Sequence, residues 1–178
     1  MIKFLSAPEI SDRSTYPNQH LLRFIKHGFK DDNVFARIDI ISINSADYIS
    51  ALTLREEILR RPLGLKLSLE DIAHDEDEYH LGAFVEAQLI GNVSLKPISL
   101  EVVQLRQMAI APNYQSQGMG GKLLKYAEQY SIARNFREIK LHARCHVQGF
   151  YTKFGYIPQG EPFIEVTIPH ILMRKQLV

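Results

Sequence analysis

The stretch QSQGMGGK, residues 115–122, stands between a strand-like run at residues 102–110 and a helix-like run at residues 122–133. A glycine-rich turn that opens a helix after a strand forms an anion site. The first N–H groups of a helix have no intrahelical acceptor, and the helix dipole favours negative charge there. Glycine lacks the Cβ that would hold a phosphate away from the backbone. Lys122 adds a positive charge, so the stretch predicts a site for a pyrophosphate or a similar polyanion.

The spacing of these glycines argues against two common nucleotide-binding motifs. The stretch lacks the G-x-x-x-x-G-K-[ST] spacing of a Walker A loop. A dinucleotide fingerprint needs G-x-G-x-x-G in an early βαβ unit, whereas the unit predicted here comes late, after a meander of strands. The pattern therefore favours another nucleotide-bearing cofactor, and glycines that serve only close helix packing are the alternative interpretation.

Composition indicates an ordinary globular chain with one domain. The 178 residues are 46% hydrophobic and 23% charged, and a formal net charge of +1 argues against a nucleic-acid partner. The single cysteine, Cys145, excludes an internal disulfide and a C-x-x-C site. No apolar run reaches the roughly 20 residues that span a bilayer, and the N-terminus lacks the layout of a signal peptide. We therefore expect a cytoplasmic protein without a membrane partner.

Hydrophobic periodicity predicts a mixed α/β fold with the element order β-α-α-β-β-β-α-β-α-β. Strands are expected at residues 34–43, 79–86, 88–95, 102–110 and 138–143, with a tight hairpin at Glu86 and Ala87. Helices are expected at residues 46–61, 69–73, 118–134 and 147–154, and extended segments at 163–168 and 171–175. Within residues 1–34, the pattern at residues 21–25 predicts a short helix that ends at Gly28.

Two blocks of sequence resemble the GNAT superfamily of acyl-CoA-dependent N-acyltransferases. The first block, LRQMAIAPNYQSQGMGGKLL (residues 105–124), resembles the family's strand 4, pyrophosphate loop and helix 3, with its Q-x-x-G-x-G motif. The second block, KLHARCHVQGFYTKFGY (residues 140–156), resembles its strand 5 and helix 4, with the signature F-Y-x-K-x-G-[FY]. Further stretches at residues 51–65, 80–84 and 168–171 resemble the ElaA-like subgroup, and together the resemblance covers residues 36–176.

The resemblance implies a fold, a domain and an activity. The GNAT-like fold has a central mixed, mostly antiparallel sheet that is splayed between strands 4 and 5 and flanked by helices. Residues 35–178 would form a single acyl-CoA N-acyltransferase domain, with residues 1–34 as an N-terminal extension. The activity would be transfer of an acetyl group from acetyl-CoA to a primary amine, by direct attack in a ternary complex. Dimers are common in the family, so a homodimer is also to be considered.

The resemblance implies the contacts to acetyl-CoA as well. Backbone N–H groups of the glycine-rich stretch would hold the pyrophosphate, and the edge of strand 4 would pair with the pantetheine arm. An N–H group near Met108 would polarise the thioester carbonyl. The expected cofactor-binding residues are Met108, Ala109, Ile110, Gln115, Ser116, Gln117, Gly118, Met119, Gly120, Gly121, Phe150 and Lys153.

The resemblance assigns the general acid more clearly than the general base. Tyr151 matches the tyrosine of helix 4 that protonates the leaving thiolate in several members. The position of the strand 4 glutamate that some members carry is Gln104 here, and an amide cannot take a proton at neutral pH. His146 is the main candidate for the base, with His142 and His170 as alternatives. The missing carboxylate motivates an alternative function, a non-catalytic CoA-binding sensor or partner-binding module.

The acceptor is a small-molecule or peptide amine that the sequence does not identify. Basic residues in the first helix pair, such as Arg55 and Arg60, favour an anionic group on it. The acidic run at residues 70–78 favours a cationic amine, unless it is a solvated loop, as most such runs are. No spacing typical of a metal site occurs, and we expect none.

Overall fold

The computed structural model describes residues 36–177, which form one seven-stranded sheet in the order β1-β2-β3-β4-β5-β7-β6. The short helix predicted at residues 21–25 lies outside the described residues, as does the start of the first predicted strand. The strands are β1 (Ala36–Ile41), β2 (Tyr79–Val85), β3 (Gln88–Pro97), β4 (Val102–Ile110), β5 (Glu138–Arg144), β6 (Ile157–Glu165) and β7 (Ile168–Gln176). The helices are α1 (Ala46–Arg55), α2 (Leu69–Ile72), α3 (Met119–Ile132) and α4 (Gln148–Lys153).

The first four strands form an antiparallel meander, and α3 connects β4 to a parallel neighbour, β5. The hairpin predicted between β2 and β3 is confirmed, because Val85 pairs with Gln88 across a two-residue turn in which Glu86 has φ 53°. The pairing of β4 with β5 covers only Val102 to Leu105 on β4. Beyond that point the two strands diverge, which confirms the expected splay and opens a cleft at their carboxyl ends.

Helices cover both faces of the sheet. The apolar side of α3, with Leu123, Leu124 and Ala127 fully buried, packs on the face that carries Val103 and Leu105. On the opposite face, α1 buries Tyr48 and Ala51 against Ile41 and Phe84. The mixed α/β architecture follows from these two apolar interfaces. No helix among residues 36–177 is both long enough and apolar enough to cross a membrane.

The first helix differs from the prediction of one continuous helix over residues 46–61. The α-helix ends at Arg55 and continues as a π-helical turn over Glu56–Arg60 and a 3-10 turn over Arg61–Leu63. The π-helical turn is wider because the N–H of Arg61 donates a hydrogen bond to the carbonyl oxygen of Glu56, five residues earlier. Gly64, at φ 72°, ends the segment. This irregular end lies beside β4 and carries Leu59 and Arg60 to the cleft.

The C-terminal part of the chain also differs from the prediction. A hairpin of β6 and β7 replaces the single last strand of the predicted element order, and its turn lies at Val166 and Thr167 rather than after residue 168. The extended segment predicted at residues 163–168 covers only the end of β6. This edge strand has most of its side chains exposed and contains Pro158, Gly160 and Pro162. An edge strand tolerates these residues, so the alternation that marks a strand is absent from its sequence. The other boundaries differ by a few residues at most.

A buried polar network fixes α1 to the start of β2. Arg55 (0% exposed) donates to Asp75 (1% exposed) at 2.6 Å, and Tyr48 donates to the same carboxylate oxygen at 2.8 Å. His80 completes the network, since Arg55 Nη2 lies 2.9 Å from its Nδ1 and its Nε2 lies 2.7 Å from the carbonyl oxygen of Asp75. A guanidinium only donates and a carbonyl only accepts, so His80 is neutral with its proton on Nε2. Arg55 is therefore not available to bind an anionic acceptor group.

Stability is expected to fall as the pH is lowered from 7.5 to 5.5, because His80 must stay neutral in the folded protein. Burial lowers the pKa of His80, and the charge of Arg55 adds to this effect. The unfolded chain therefore takes up a proton below the ordinary pKa of about 6.5 while the folded chain does not, with a maximum slope of about 1.4 kcal/mol per pH unit. Urea unfolding at several pH values measures this slope. His80→Gln should flatten it and the exposed-site control His74→Gln should not; equal slopes in all three proteins would contradict the assignment.

Candidate active site

The glycine-rich loop between β4 and α3 presents a series of backbone N–H groups. Ser116 and Gly118 adopt the left-handed conformation, with φ 59° and 76°, and Gly118 is the N-cap of α3. The first helical bond runs from the N–H of Lys122 to the carbonyl oxygen of Gly118 at 3.0 Å. Within residues 36–177, no acceptor is found for the N–H groups of residues 116–121. The loop thus has the geometry of an anion-binding concavity at a helix N-terminus.

Two glutamine side chains form hydrogen bonds with backbone carbonyl groups in and before this loop. Gln115 Nε2 donates to the carbonyl oxygen of Ile110 at 2.8 Å, and Gln117 Nε2 donates to that of Asn113 at 2.6 Å. Because both side-chain amides already donate to backbone carbonyl groups, these two predicted site residues would bind an anion through their backbone N–H groups. The first and third polar residues of the Q-S-Q sequence therefore set the shape of the loop.

The two glycines at the start of α3 have different surroundings. A Cβ on Gly120 would lie 3.4 Å from Phe150 and 3.6 Å from Met108, where the loop, β4 and α4 meet. A Cβ on Gly121 would lie 2.5 Å from the ring of Phe154, so this glycine permits the close packing of α3 on α4. Among the other predicted cofactor-binding residues, Met119 and Ala109 are buried, Ile110 and Phe150 are half-buried, and Lys153 is exposed.

A β-bulge interrupts β4 where this strand leaves β5. Asn92 pairs with Ala109 and Ser94 with Arg106, so Gln107 and Met108 lie in the bulge without partners in the register. Gln107 has φ 51°, a strained conformation for a residue with a side chain. The buried Asn92 holds it by donating to the carbonyl oxygen of Gln107 at 3.0 Å, and Gln107 in turn donates to the carbonyl oxygen of Asp71 at 3.0 Å. The bulge is thereby fixed from two sides.

The splay of the strands opens a cleft of about 200 Å³ at the bulge. One wall comes from β4, with Gln104, Arg106 and Met108, and the opposite wall from the end of β5 and from α4. The π-helical turn after α1 and the β6–β7 turn close its sides. The lining of this cleft includes Leu59, Arg60, Asp71, Gln104, Arg106, Met108, His142, Arg144, Tyr151, Glu165 and His170.

Tyr151 reaches this cleft from α4. The side chain is 9% exposed, and its hydroxyl group lies 3.8 Å from the sulfur of Met108 in the bulge. Burial raises the pKa of Tyr151 to about 12, so the hydroxyl group keeps its proton at neutral pH. Tyr151 is therefore a proton donor held beside the bulge.

The histidines that line the cleft are His142 and His170, whereas the predicted His146 lies outside its lining. His146 is exposed on the 3-10 turn Cys145–Val147. The Nδ1 of His142 lies 2.6 Å from the carboxylate of Glu165. The Nδ1 of His170 lies 3.0 Å from the carbonyl oxygen of Ile168, which only accepts, so Nδ1 carries a proton and the lone pair of the neutral ring is on Nε2.

Three of the six carboxylates in the acidic run at residues 70–78 form ion pairs with arginines. Asp71 pairs with Arg60 at 2.5 Å, and the buried Glu78 pairs with Arg106 on β4. Together with the burial of Asp75, these pairs rule out the interpretation of the whole run as a solvated loop. The charge of these three carboxylates is therefore not available to attract a cationic amine, whereas Glu70, Glu76 and Asp77 are exposed.

Comparison with known proteins places this geometry in a family. The family model for the acetyltransferase (GNAT) domain matches residues 41–177. The uncharacterised N-acetyltransferase YitI of Bacillus subtilis is 34% identical over 134 residues, which is 70% of this chain and 88% of YitI. Escherichia coli ElaA shares the fold, with a TM-score of 0.67 and 23% identity over 80% of this chain and 99% of ElaA. A GNAT family acetyltransferase of Elizabethkingia anophelis, solved with acetyl-CoA bound, has a TM-score of 0.64 and 22% identity over 83% of this chain and all of its own. The chain belongs to the GNAT family of acetyltransferases.

Proposed function

We propose that this acetyltransferase uses acetyl-CoA and transfers the acetyl group to a primary amine by direct attack in a ternary complex. The observation that carries the proposal is the position of Tyr151, a buried proton donor in the cleft between the splayed strands β4 and β5. Residues 35–178 would form a single acyl-CoA N-acyltransferase domain, which the family match over residues 41–177 supports. Residues 1–34 would be an extension outside it.

The residues present fit the expected cosubstrate. Acetyl-CoA supplies an acetyl group that is activated as a thioester. The N–H groups of residues 116–121, for which residues 36–177 provide no acceptor, suit its negatively charged pyrophosphate, and Lys122 adds attraction. The β4 edge at Met108, Ala109 and Ile110 faces the gap between the strands, and Gly120 keeps the approach free of a side chain. The residues of the bulge are the natural source of an N–H group for the thioester oxygen.

Proton transfer would involve two groups in the cleft. Tyr151 would donate its hydroxyl proton to the departing thiolate, which its raised pKa permits at neutral pH. His170 would accept the proton of the incoming amine at Nε2, directly or through water, since its Nδ1 is held by the carbonyl oxygen of Ile168. His142, bonded to Glu165, is the second candidate for this role. His146 stays a prediction that its position outside the cleft lining does not favour.

The first experiment is a calorimetric and thermal-shift titration with acetyl-CoA, CoA, NAD and ATP, followed by a thiol-release assay on a panel of amines. A ligand that binds the native state raises the melting temperature by mass action. We expect selective stabilisation by acetyl-CoA and CoA, and thiol release with at least one class of amines. Binding without turnover across the panel would favour the sensor function, and binding of NAD or ATP instead of CoA would overturn the proposal.

Asn92→Ala is expected to slow acetyl transfer about tenfold and to lower the free energy of unfolding by about 1–2 kcal/mol, because it removes the hydrogen bond that holds the carbonyl oxygen of Gln107. The bulge would then lose the support of its strained residue while the glycine-rich loop stays intact. Steady-state kinetics and urea unfolding measure the two effects. Ser94→Ala, on the same strand, is the matched control, since Ser94 makes only a long 3.5 Å contact to Arg106. A full rate in Asn92→Ala would show that the bulge does not depend on Asn92.

A further inference from the structure

Arg144 is a cation in the cleft whose charge the described residues do not balance. It ends β5, is half-buried, and donates from Nη2 to the carbonyl oxygen of Leu59 at 2.7 Å. Within residues 36–177, no carboxylate forms an ion pair with it. A guanidinium has five N–H donors in a planar fork, so further donors are left for a planar anion.

The other two arginines of the cleft are already paired with carboxylates. Arg60 binds Asp71 through Nη2 at 2.5 Å and Nε at 3.3 Å, and Arg106 binds Glu78. Glu165 contacts His142 rather than an arginine. Arg144 is therefore the arginine of the cleft lining that has no carboxylate partner among residues 36–177.

The surroundings of Arg144 favour an arriving anion. Its burial, followed by the nearby charge of Arg60, lowers the pKa of Arg144, which means that the cation is poorly solvated and lies close to another cation. A carboxylate that accepts two hydrogen bonds from the guanidinium of Arg144 would replace the missing solvation and offset the repulsion from Arg60. The carbonyl oxygen of Leu59 accepts a hydrogen bond from the guanidinium of Arg144, but it carries no net charge.

The sheet register places this cation next to the candidate base. Arg144 pairs with His170 across β5 and β7. Directly opposite residues of antiparallel strands have Cβ atoms about 4.5–5.5 Å apart and point to the same face of the sheet. An anion-binding group and a proton acceptor at this spacing suit a compact molecule that carries both an amine and a carboxylate.

We propose that the acceptor is a primary amine that also carries a carboxylate, and that Arg144 binds this carboxylate. The substrate class is that of free amino acids and short peptides with a free C-terminus, as opposed to polyamines or other purely cationic amines. This inference rests on the proposed acetyl transfer and names the acceptor for it. Arg144 is then a residue that determines specificity.

Pairs of acceptors that differ only in the carboxylate test the inference without any mutation. Thiol release is measured with the twenty amino acids, their carboxamides, dipeptides with free and amidated C-termini, and spermidine. We expect kcat/KM for the best carboxylate acceptor to exceed that of its carboxamide at least about tenfold, a ratio typical of one bidentate contact. The dipeptides distinguish a free amino acid from a peptide as the source of the carboxylate.

Variants then assign the preference to Arg144. Arg144→Gln should bring the carboxylate-to-carboxamide ratio close to unity, mainly through KM, and Arg144→Lys should restore part of it. Lys140→Gln is the matched control, because it removes a cation from the same face of β5 outside the cleft lining and should leave the ratio unchanged. The wild-type ratio keeps the inference testable even if a variant fails to fold.

The outcomes separate the inference from the proposed function. Equal or better turnover of carboxamides or spermidine would overturn the inference and leave acetyl transfer intact. Turnover of none of the carboxylate acceptors by a protein that binds acetyl-CoA would also count against it. A ratio unchanged by Arg144→Gln would refute the role of Arg144. Failure of the protein to bind acetyl-CoA would instead overturn the proposed function itself.

Discussion

Gly120→Asp is expected to lower the affinity for acetyl-CoA at least about 100-fold, which corresponds to about 2.7 kcal/mol. Gly120 is the second residue of α3, at the end of the loop whose N–H groups would bind the pyrophosphate. An aspartate there adds bulk and negative charge against an anion. Aspartate in the first turn stabilises a helix through its dipole, so the unliganded variant should stay folded. Calorimetric titration with acetyl-CoA measures the loss, and thermal unfolding verifies the fold.

Two further substitutions at Gly120 separate charge from bulk. A Cβ there would lie 3.4 Å from Phe150, a tight contact that a small ring movement relieves, so Gly120→Ala should bind within a few-fold of wild type. Gly120→Asn has the shape of aspartate without its charge and should fall between the two. Wild-type affinity in Gly120→Asp would place the pyrophosphate elsewhere and refute the loop as its site.

Tyr151→Phe is expected to lower the rate of acetyl transfer about 100-fold, the lower end of the range for general acid catalysis. The hydroxyl group of Tyr151 lies in the cleft and keeps its proton because burial raises its pKa to about 12. Its hydrogen bond goes to a weak acceptor, the sulfur of Met108, so phenylalanine should preserve the packing. Single-turnover measurements isolate the transfer step, and titration should give an affinity for acetyl-CoA close to that of wild type.

The control for this substitution is Tyr156→Phe. The ring of Tyr156 lies 5.7 Å from that of Tyr151 and is almost completely buried, but it does not line the cleft. Tyr156→Phe also removes a hydroxyl group from a buried tyrosine, but at a position outside the cleft where the acetyl group would be transferred. A transfer rate in Tyr151→Phe equal to that of Tyr156→Phe would remove Tyr151 from the mechanism.

Features that depend on short-range patterns were predictable from the sequence. The glycine-rich loop, the hairpin at Glu86 and the order of the central strands follow from glycine chemistry and hydrophobic alternation within a few residues. The motif that contains Tyr151 is also a short-range pattern, and the structure has this residue in the lining of the cleft. One signal was present but not used: Asn92 is a polar residue in the middle of an apolar strand, which is unusual unless its amide has a partner.

Features that depend on distant partners were not predictable. The acidic run gave no sign that Asp75 pairs with Arg55, 20 residues earlier, or Glu78 with Arg106, 28 residues later. The exposed edge strand β6 has no alternation to detect, because neither of its faces is fully buried. Of the three histidine candidates for the base, the main one, His146, lies outside the cleft lining, whereas His142 and His170 lie in it. Whether a histidine reaches the cleft depends on the turns and the strand register around it, which hydrophobic periodicity does not encode.

The sequence by itself determined the family, the mixed α/β fold and the loop with the geometry of an anion site, because each depends on residue types at fixed spacing along the chain. The tertiary structure decided how the charges of the cleft are distributed. Arg144 is left without a carboxylate partner because Asp71 and Glu78 pair with Arg60 and Arg106, and Glu165 contacts His142. Which cation is left for a substrate is a property of all the ion pairs together, and Coulomb interactions between groups far apart in the chain exist only once the chain has folded.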